Sequence, residues 1–199
     1  MKRIFDFLMS LIGILILSPI IIIVALSVKL TSKGPILFKQ RRIGKNNEEF
    51  SIYKFRTMRI DTPNVPTHLL ENPEQWITPI GKFLRKTSLD ELPQLFNILS
   101  GKMSIVGPRP ALYNQYDLKE MRTAEGIHKL VPGLTGWAQI NGRDEIPLSL
   151  KVKLDKEYLE RKSFWFDLKI IFLTVISVIK SDGVQEGKAV NNNEKTIAG

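Results

Sequence analysis

Asp90 and Glu91 are adjacent carboxylates set among apolar residues in the segment RKTSLDELPQLFNIL, with Arg85 and Lys86 just upstream. Two roles are open to such a pair. As a capping box, Ser88 and Glu91 three positions later would satisfy orphan backbone donors at a helix start. As a reacting pair, an ionised Asp90 beside cations and a divalent metal is a nucleophile toward phosphorus. A helix N-terminus serves both, since its positive potential keeps a carboxylate ionised and attracts phosphate. Arg109 lies between two prolines in Gly107-Pro108-Arg109-Pro110, a rigid presentation suited to an anionic or planar ligand, or else a plain structural turn. Gly142-Arg143 closes a second glycine-rich loop in the same manner. Lys54 and Arg56 alternate with Tyr53 and Phe55 on an expected strand, which lets both cations share one face.

Other chemistries are disfavoured. The chain has no cysteine, which removes disulfide scaffolds, Cys-ligated zinc, iron–sulfur clusters and thiol nucleophiles. Its two histidines, His68 and His128, are far apart and lie in no recognisable motif. Neither GxGxxG nor a Walker lysine motif is present.

The elements that must position these residues follow from charge and periodicity. The chain has 199 residues and a formal charge of +9. Residues 1–60 hold eleven basic and three acidic side chains, whereas residues 61–199 hold eighteen and seventeen. That distribution is wrong for a nucleic-acid groove reader, which would carry its basic residues along a soluble face. Instead they flank twenty-two uncharged residues from Phe7 to Val28. At about 1.5 Å per residue, a helix of this length reaches across a hydrocarbon core. Ser18 and Pro19 break the middle of the run, and basic residues stand at both ends. Basic ends favour the cytoplasmic side, so a helix kinked at Ser18-Pro19 that re-enters would keep both clusters at the anionic inner surface. An ordinary kinked spanning helix fits the same residues.

The rest reads as α+β. PILFKQ and FSIYKFRTM alternate around a basic turn and predict a hairpin. Residues 61–80, with four prolines, predict a loop. A helix is expected from about Ser88–Asp90 to Ser100-Gly101, another over 111–130, and a glycine-punctuated loop with a short strand over 132–143. An amphipathic helix is expected over 147–161, and a core or membrane-surface helix over 163–179 with Trp165 at the interface. The organisation is thus an anchor over 1–33, a mostly helical cytoplasmic domain over 34–180 and a polar tail over 181–199. A homodimer through the C-terminal apolar helix is compatible with this pattern. On these residues alone, a non-enzymatic basic membrane module and a membrane phosphohydrolase remain rivals to a transferase.

Taken in order, KRIFD, the apolar run with Ser18-Pro19, FKQRRIGKNNEEFSIYKFRTM, RKTSLDELPQLFNIL, GKMSIVGPRPAL and VPGLTGWAQINGR resemble the monotopic phosphoglycosyl transferases, bacterial sugar transferases that start capsule, exopolysaccharide and glycoprotein glycan assembly. The resemblance covers nearly the whole chain and is to the small type, without the extra membrane domain of larger relatives. It implies transfer of a sugar 1-phosphate from a UDP-sugar to polyprenyl (undecaprenyl) phosphate, with release of UMP. It implies a re-entrant, monotopic anchor in membrane lipid at the cytoplasmic face of the bacterial inner membrane. Asp90 would attack the β-phosphorus to form a phosphosugar-enzyme. Glu91 would assist with Mg2+ and acceptor activation. Arg85 matches a phosphate-binding arginine, Arg109 a residue near the nucleotide, and Lys54 and Arg143 basic positions around the pocket. The resemblance to a capsule-like branch implies an N-acetylated sugar, with or without a 6-deoxy carbon, and the residues themselves do not name it.

Overall fold

The computed structural model describes residues 1–63, 72–142 and 146–179. The apolar run forms the core of one helix, α1 (Lys2–Thr31), with Pro19 inside it. Its polar residues are satisfied internally: the hydroxyls of Ser10, Ser18 and Ser27 donate to the carbonyls of Phe7, Leu15 and Ile23. What remains outward is apolar, with Leu15, Ile16, Ile22, Ile23 and Leu26 all more than half exposed. A continuous exposed apolar surface of this kind is a membrane or protein contact, not a solvated helix.

Both ends of α1 are tied to the rest of the chain. At the start, Lys2 Nζ lies 2.6 Å from Asp167 Oδ2, the Arg3 guanidinium donates to the carbonyls of Ile98 and Leu99, and Asp6 Oδ1 accepts from the Ile105 amide. At the end, Val24 and Val28 pack with Phe55 and Leu84.

The expected hairpin is present. β1 (Leu37–Ile43) pairs antiparallel with β2 (Glu49–Phe55), in register from Leu37 opposite Phe55 to Ile43 opposite Glu49. Asn46 and Asn47 supply the left-handed residues of the turn, a conformation asparagine tolerates. A short helix not foreseen in the proline-rich stretch follows. α2 (Pro79–Lys86) opens with Thr78 Oγ1 accepting from the Gly81 amide, and Pro79 sits at its first position, where no amide is missed. The chain then reverses through a 3-10 turn, Leu89–Glu91, and enters α3 (Gln94–Leu99). The expected single helix from Ser88 to Gly101 is therefore two pieces joined at Pro93, and only its end is where the sequence put it.

α3 is docked on the hairpin by Asn97, which is fully buried: its Oδ1 accepts from the Tyr53 amide and its Nδ2 donates to the Ser51 carbonyl. Beneath that contact Ile52, Ile98 and Met103 form one core cluster. β3 (Ser104–Val106) runs parallel to β4 (Gly133–Thr135), a pairing the sequence did not announce. Between them α4 (Tyr116–Ala124) packs on the hairpin end through Leu118, Ile43 and Ala111. After β4 come the short α5 (Trp137–Ile140), the amphipathic α6 (Leu148–Arg161) and α7 (Phe164–Ile179). α7 buries Phe166 and Ile170 but leaves Trp165 and Phe172 outward. The polar tail over 181–199 and Arg143 lie outside the described residues.

Candidate active site

The dyad is placed by a strained turn. Ser88 has φ 56° and makes no side-chain cap, so the capping-box expectation fails: Glu91 turns away from Ser88. A non-glycine residue in the left-handed region costs about 1–3 kcal/mol, a form of strain that clusters at functional sites. The amides of Glu91 and Leu92 are consumed within the turn by the carbonyls of Ser88 and Leu89. The expected helix-terminus field is weakened accordingly, and cationic side chains take its place.

Lys54, near the end of β2, reaches Glu91 Oε1 at 2.7 Å and lies 3.8 Å from Asp90 Oδ2. Arg109 Nη2 reaches the same Glu91 oxygen at 3.1 Å. Arg85, near the end of α2, leans on Met58 Sδ and is close enough for its charge to act on Asp90. Asp90, Glu91, Lys54, Arg85 and Arg109 thus come together from four separate stretches of chain. Arg56 does not join them. It is buried at the opposite edge, where it donates to the carbonyls of Ser32 and Lys33 and so caps the end of α1. The shared face expected for Lys54 and Arg56 fails because the strand ends at Phe55.

The two carboxylates are driven apart in acidity. Burial pushes Asp90 up to about 6, with the Lys54 charge opposing, the Glu91 charge adding, and Arg85 and Arg109 opposing. Burial also acts on Glu91, but the charges and hydrogen bonds of Lys54 and Arg109 outweigh it and hold the carboxyl well below the ordinary range. Glu91 is therefore a fixed anion, while Asp90 is a carboxylate at neutral pH with unusual basicity. Paired groups whose acidities diverge in this way mark divided roles.

The Arg109 loop is built to be rigid. Pro108 and Pro110 have no amide donor, so the loop is held through its carbonyls instead. Pro108 O accepts from the Gly133 amide, Arg109 O from Arg122 Nη1 at 2.8 Å, and Pro110 O from Arg42 Nη1 at 3.0 Å. Backbones meet closely here: a Cβ on Gly133 would stand 2.1 Å from the Gly107 amide nitrogen, and one on Gly136 would stand 2.1 Å from Gly107 O. This close passage explains the glycines of GPRP and PGLTG. Sequence reading missed Arg42, Arg122 and Asn97. Each acts on backbone groups contributed by another element, and only the fold shows those partners.

The donor set suits a hard cation only in part by itself. Mg2+ is usually held by one or two carboxylates together with substrate phosphates, not by an all-protein cage. Asp90 and Glu91 match that pattern, and no group of three or more metal-ligating side chains occurs among the described residues. The under-neutralised Asp90 carboxyl is the feature a divalent ion would relieve.

Residues 1–181 match the model of the bacterial sugar transferases. The chain is 41% identical over 199 residues to an uncharacterised sugar transferase, EpsL, of Bacillus subtilis, covering all of this chain and 97% of that protein. It is 43% identical to the UDP-glucose:undecaprenyl-phosphate glucose-1-phosphate transferase of Escherichia coli over 88% of this chain and 39% of that protein. It is 36% identical to the UDP-N-acetylgalactosamine-undecaprenyl-phosphate N-acetylgalactosaminephosphotransferase of Aeromonas hydrophila over 92% of this chain and 45% of that protein. The chain spans between 35% and 39% of the length of three curated glucose-phosphate transferases that it matches. By its matched length and these identities, the chain belongs to the bacterial sugar transferase family.

Proposed function

We propose that this protein moves a sugar 1-phosphate from a UDP-sugar to polyprenyl phosphate, releasing UMP, by way of a covalent Asp90-phosphosugar intermediate. The observation that carries this reading is the dyad: a buried, basic carboxylate beside a permanently anionic one, ringed by Lys54, Arg85 and Arg109. Asp90 attacks the phosphorus that bears the sugar, and the bond from that phosphorus to the bridging oxygen breaks as UMP leaves. An oxygen of polyprenyl phosphate then attacks the same phosphorus, which regenerates the Asp90 carboxylate and gives the polyprenyl diphosphate sugar. Splitting the transfer lets one cation cluster serve two anionic substrates in turn. Lys54 and Arg109 hold Glu91 and offset the diphosphate charge, and Arg85 steadies the Asp90 anion. Asp90 and Glu91 would hold Mg2+, which supplies charge neutralisation at the diphosphate when bound.

The anchor supports the acceptor. α1 has 30 residues and would be about 45 Å long if straight. A span perpendicular to the bilayer would carry one end away from the domain. Here Lys2, Arg3 and Asp6 at one end and Val24 and Val28 at the other touch the same domain. That supports a re-entrant anchor with both basic ends at the cytoplasmic surface of the bacterial inner membrane, where a lipid phosphate presents its charge. Relatives named for glucose and for N-acetylgalactosamine leave the donor class at UDP-sugars.

The test is UMP release by detergent-solubilised protein with Mg2+, undecaprenyl phosphate and a panel of UDP-sugars, wild type beside Asp90→Asn. Multiple-turnover release that needs one donor, the lipid acceptor and Asp90 is expected, with at most one UMP per protein released when the acceptor is left out. Sustained turnover without the acceptor would indicate a phosphohydrolase, and equal release by Asp90→Asn would remove the nucleophile.

A further inference from the structure

We propose that Arg122, held by Asp155, is a positioning residue for Arg109, so that helices α4 and α6 set the grip of the site on the donor diphosphate. The inference rests on the reading of Arg109 and the dyad as a nucleotide-sugar site.

Arg122 and Asp155 form an ion pair in which the guanidinium Nε and Nη2 converge on one oxygen, Asp155 Oδ2, at 3.0 and 2.6 Å. Their side chains are 9% and 2% exposed. Such a pair is poor evidence for stability, because well-packed apolar residues of similar volume hold a fold about as well. What the pair does here is directional. It leaves Nη1 of Arg122 aimed at the Arg109 carbonyl, at 2.8 Å. That carbonyl belongs to the residue whose guanidinium grips Glu91 Oε1. The prolines on either side remove the amides through which the loop could otherwise be fixed. Arg42 and Gly133 secure the neighbouring carbonyls of Pro110 and Pro108, so the loop survives loss of Arg122 while its central residue loses its register. Lysine cannot replace the fork, since a point ammonium does not serve two carboxylate-directed bonds and a third to a carbonyl at once.

The experiment is a mutant cycle on the full-length protein in detergent with four proteins: wild type, Arg109→Gln, the paired variant Arg122→Met/Asp155→Leu, and the triple combination. Each is measured for thermal unfolding, for affinity toward UDP by calorimetry, and for kcat and KM of UMP release with the preferred donor. The paired variant is expected to unfold near the wild-type temperature. It should lose roughly ten- to hundredfold in kcat/KM, the range of one hydrogen bond to a charged group, and weaken UDP in parallel. The triple variant is expected to be no worse than Arg109→Gln, because Arg122 acts only through Arg109. A merely structural role would give additive losses. Arg122→Lys keeps a charge opposite Asp155 and guards against a paired variant that does not fold; it should show the same loss without a change in unfolding. Additive losses, or full UDP affinity in the paired variant and in Arg122→Lys, would overturn the proposal. UDP binding without UMP release in wild type would instead overturn the transferase reading alone, with the cycle still read from UDP affinity.

Discussion

Asp90 should cost the protein stability, and the cost should depend on pH in a defined way. Burial holds its carboxyl at about 6 in the folded chain, against an ordinary value of 3.8. A raised carboxylate is protonated in both states below pH 3.8 and costs nothing there. Between 3.8 and 6 the unfolded chain ionises first, so folding grows less favourable, and above 6 the penalty is complete. Linkage between these two values gives a penalty of about 3 kcal/mol at pH 7.5 and about 1 kcal/mol at pH 4.5. The side chain is only 10% exposed, so solvent screening does not erase it. Asp90→Asn removes the charge at nearly constant shape. It should raise the unfolding temperature by roughly 6–12 °C at pH 7.5 for a chain of this size, and by about a third of that at pH 4.5. The assay is thermal unfolding in detergent with EDTA and no donor, at both pH values. A gain that is absent at pH 7.5, or equal at the two pH values, would refute the placement of Asp90 as a buried carboxylate whose own charge opposes folding.

Three further outcomes follow from named contacts. Lys54→Met removes the leading counter-charge of Asp90, 3.8 Å away, so the acid limb of the pH–rate profile should move to higher pH, on top of a loss of activity at every pH from the missing cation; an unmoved limb would contradict the pairing. Arg56→Met uncaps the end of α1, and should lower the unfolding temperature by several degrees while leaving the donor KM of the folded protein unchanged. Gly133→Ala drives a methyl into the Gly107 amide and should separate β3 from β4, read as loss of amide exchange protection at Gly107 and Thr135 together with loss of activity.

Much of the site was legible because its chemistry is concentrated in short motifs. Asp90-Glu91, Arg85, Lys54 and the Pro-Arg-Pro element stand out by residue type, and the fold brings them together. The hairpin, the amphipathic α6 and the apolar α7 were legible by periodicity. α2 was hidden, since Pro79 reads as a loop residue until Thr78 is seen to cap a helix behind it. The break at Pro93 was hidden too, because a left-handed Ser88 has no sequence signature. Arg56 was misassigned by strand alternation, which stops applying one residue earlier. Arg42, Arg122 and Asn97 act on backbone carbonyls or amides contributed by other elements, and no local pattern encodes such partners.

The central claim is that Asp90 carries the sugar phosphate. Intact mass spectrometry of the detergent-solubilised protein with its UDP-sugar and Mg2+, but no lipid acceptor, tests it most directly. The account predicts a mass gain of one sugar phosphate that maps to Asp90, is missing in Asp90→Asn, and is discharged by polyprenyl phosphate. Formation of the lipid-linked product with no such adduct at any time would contradict it and point to direct transfer between the two substrates.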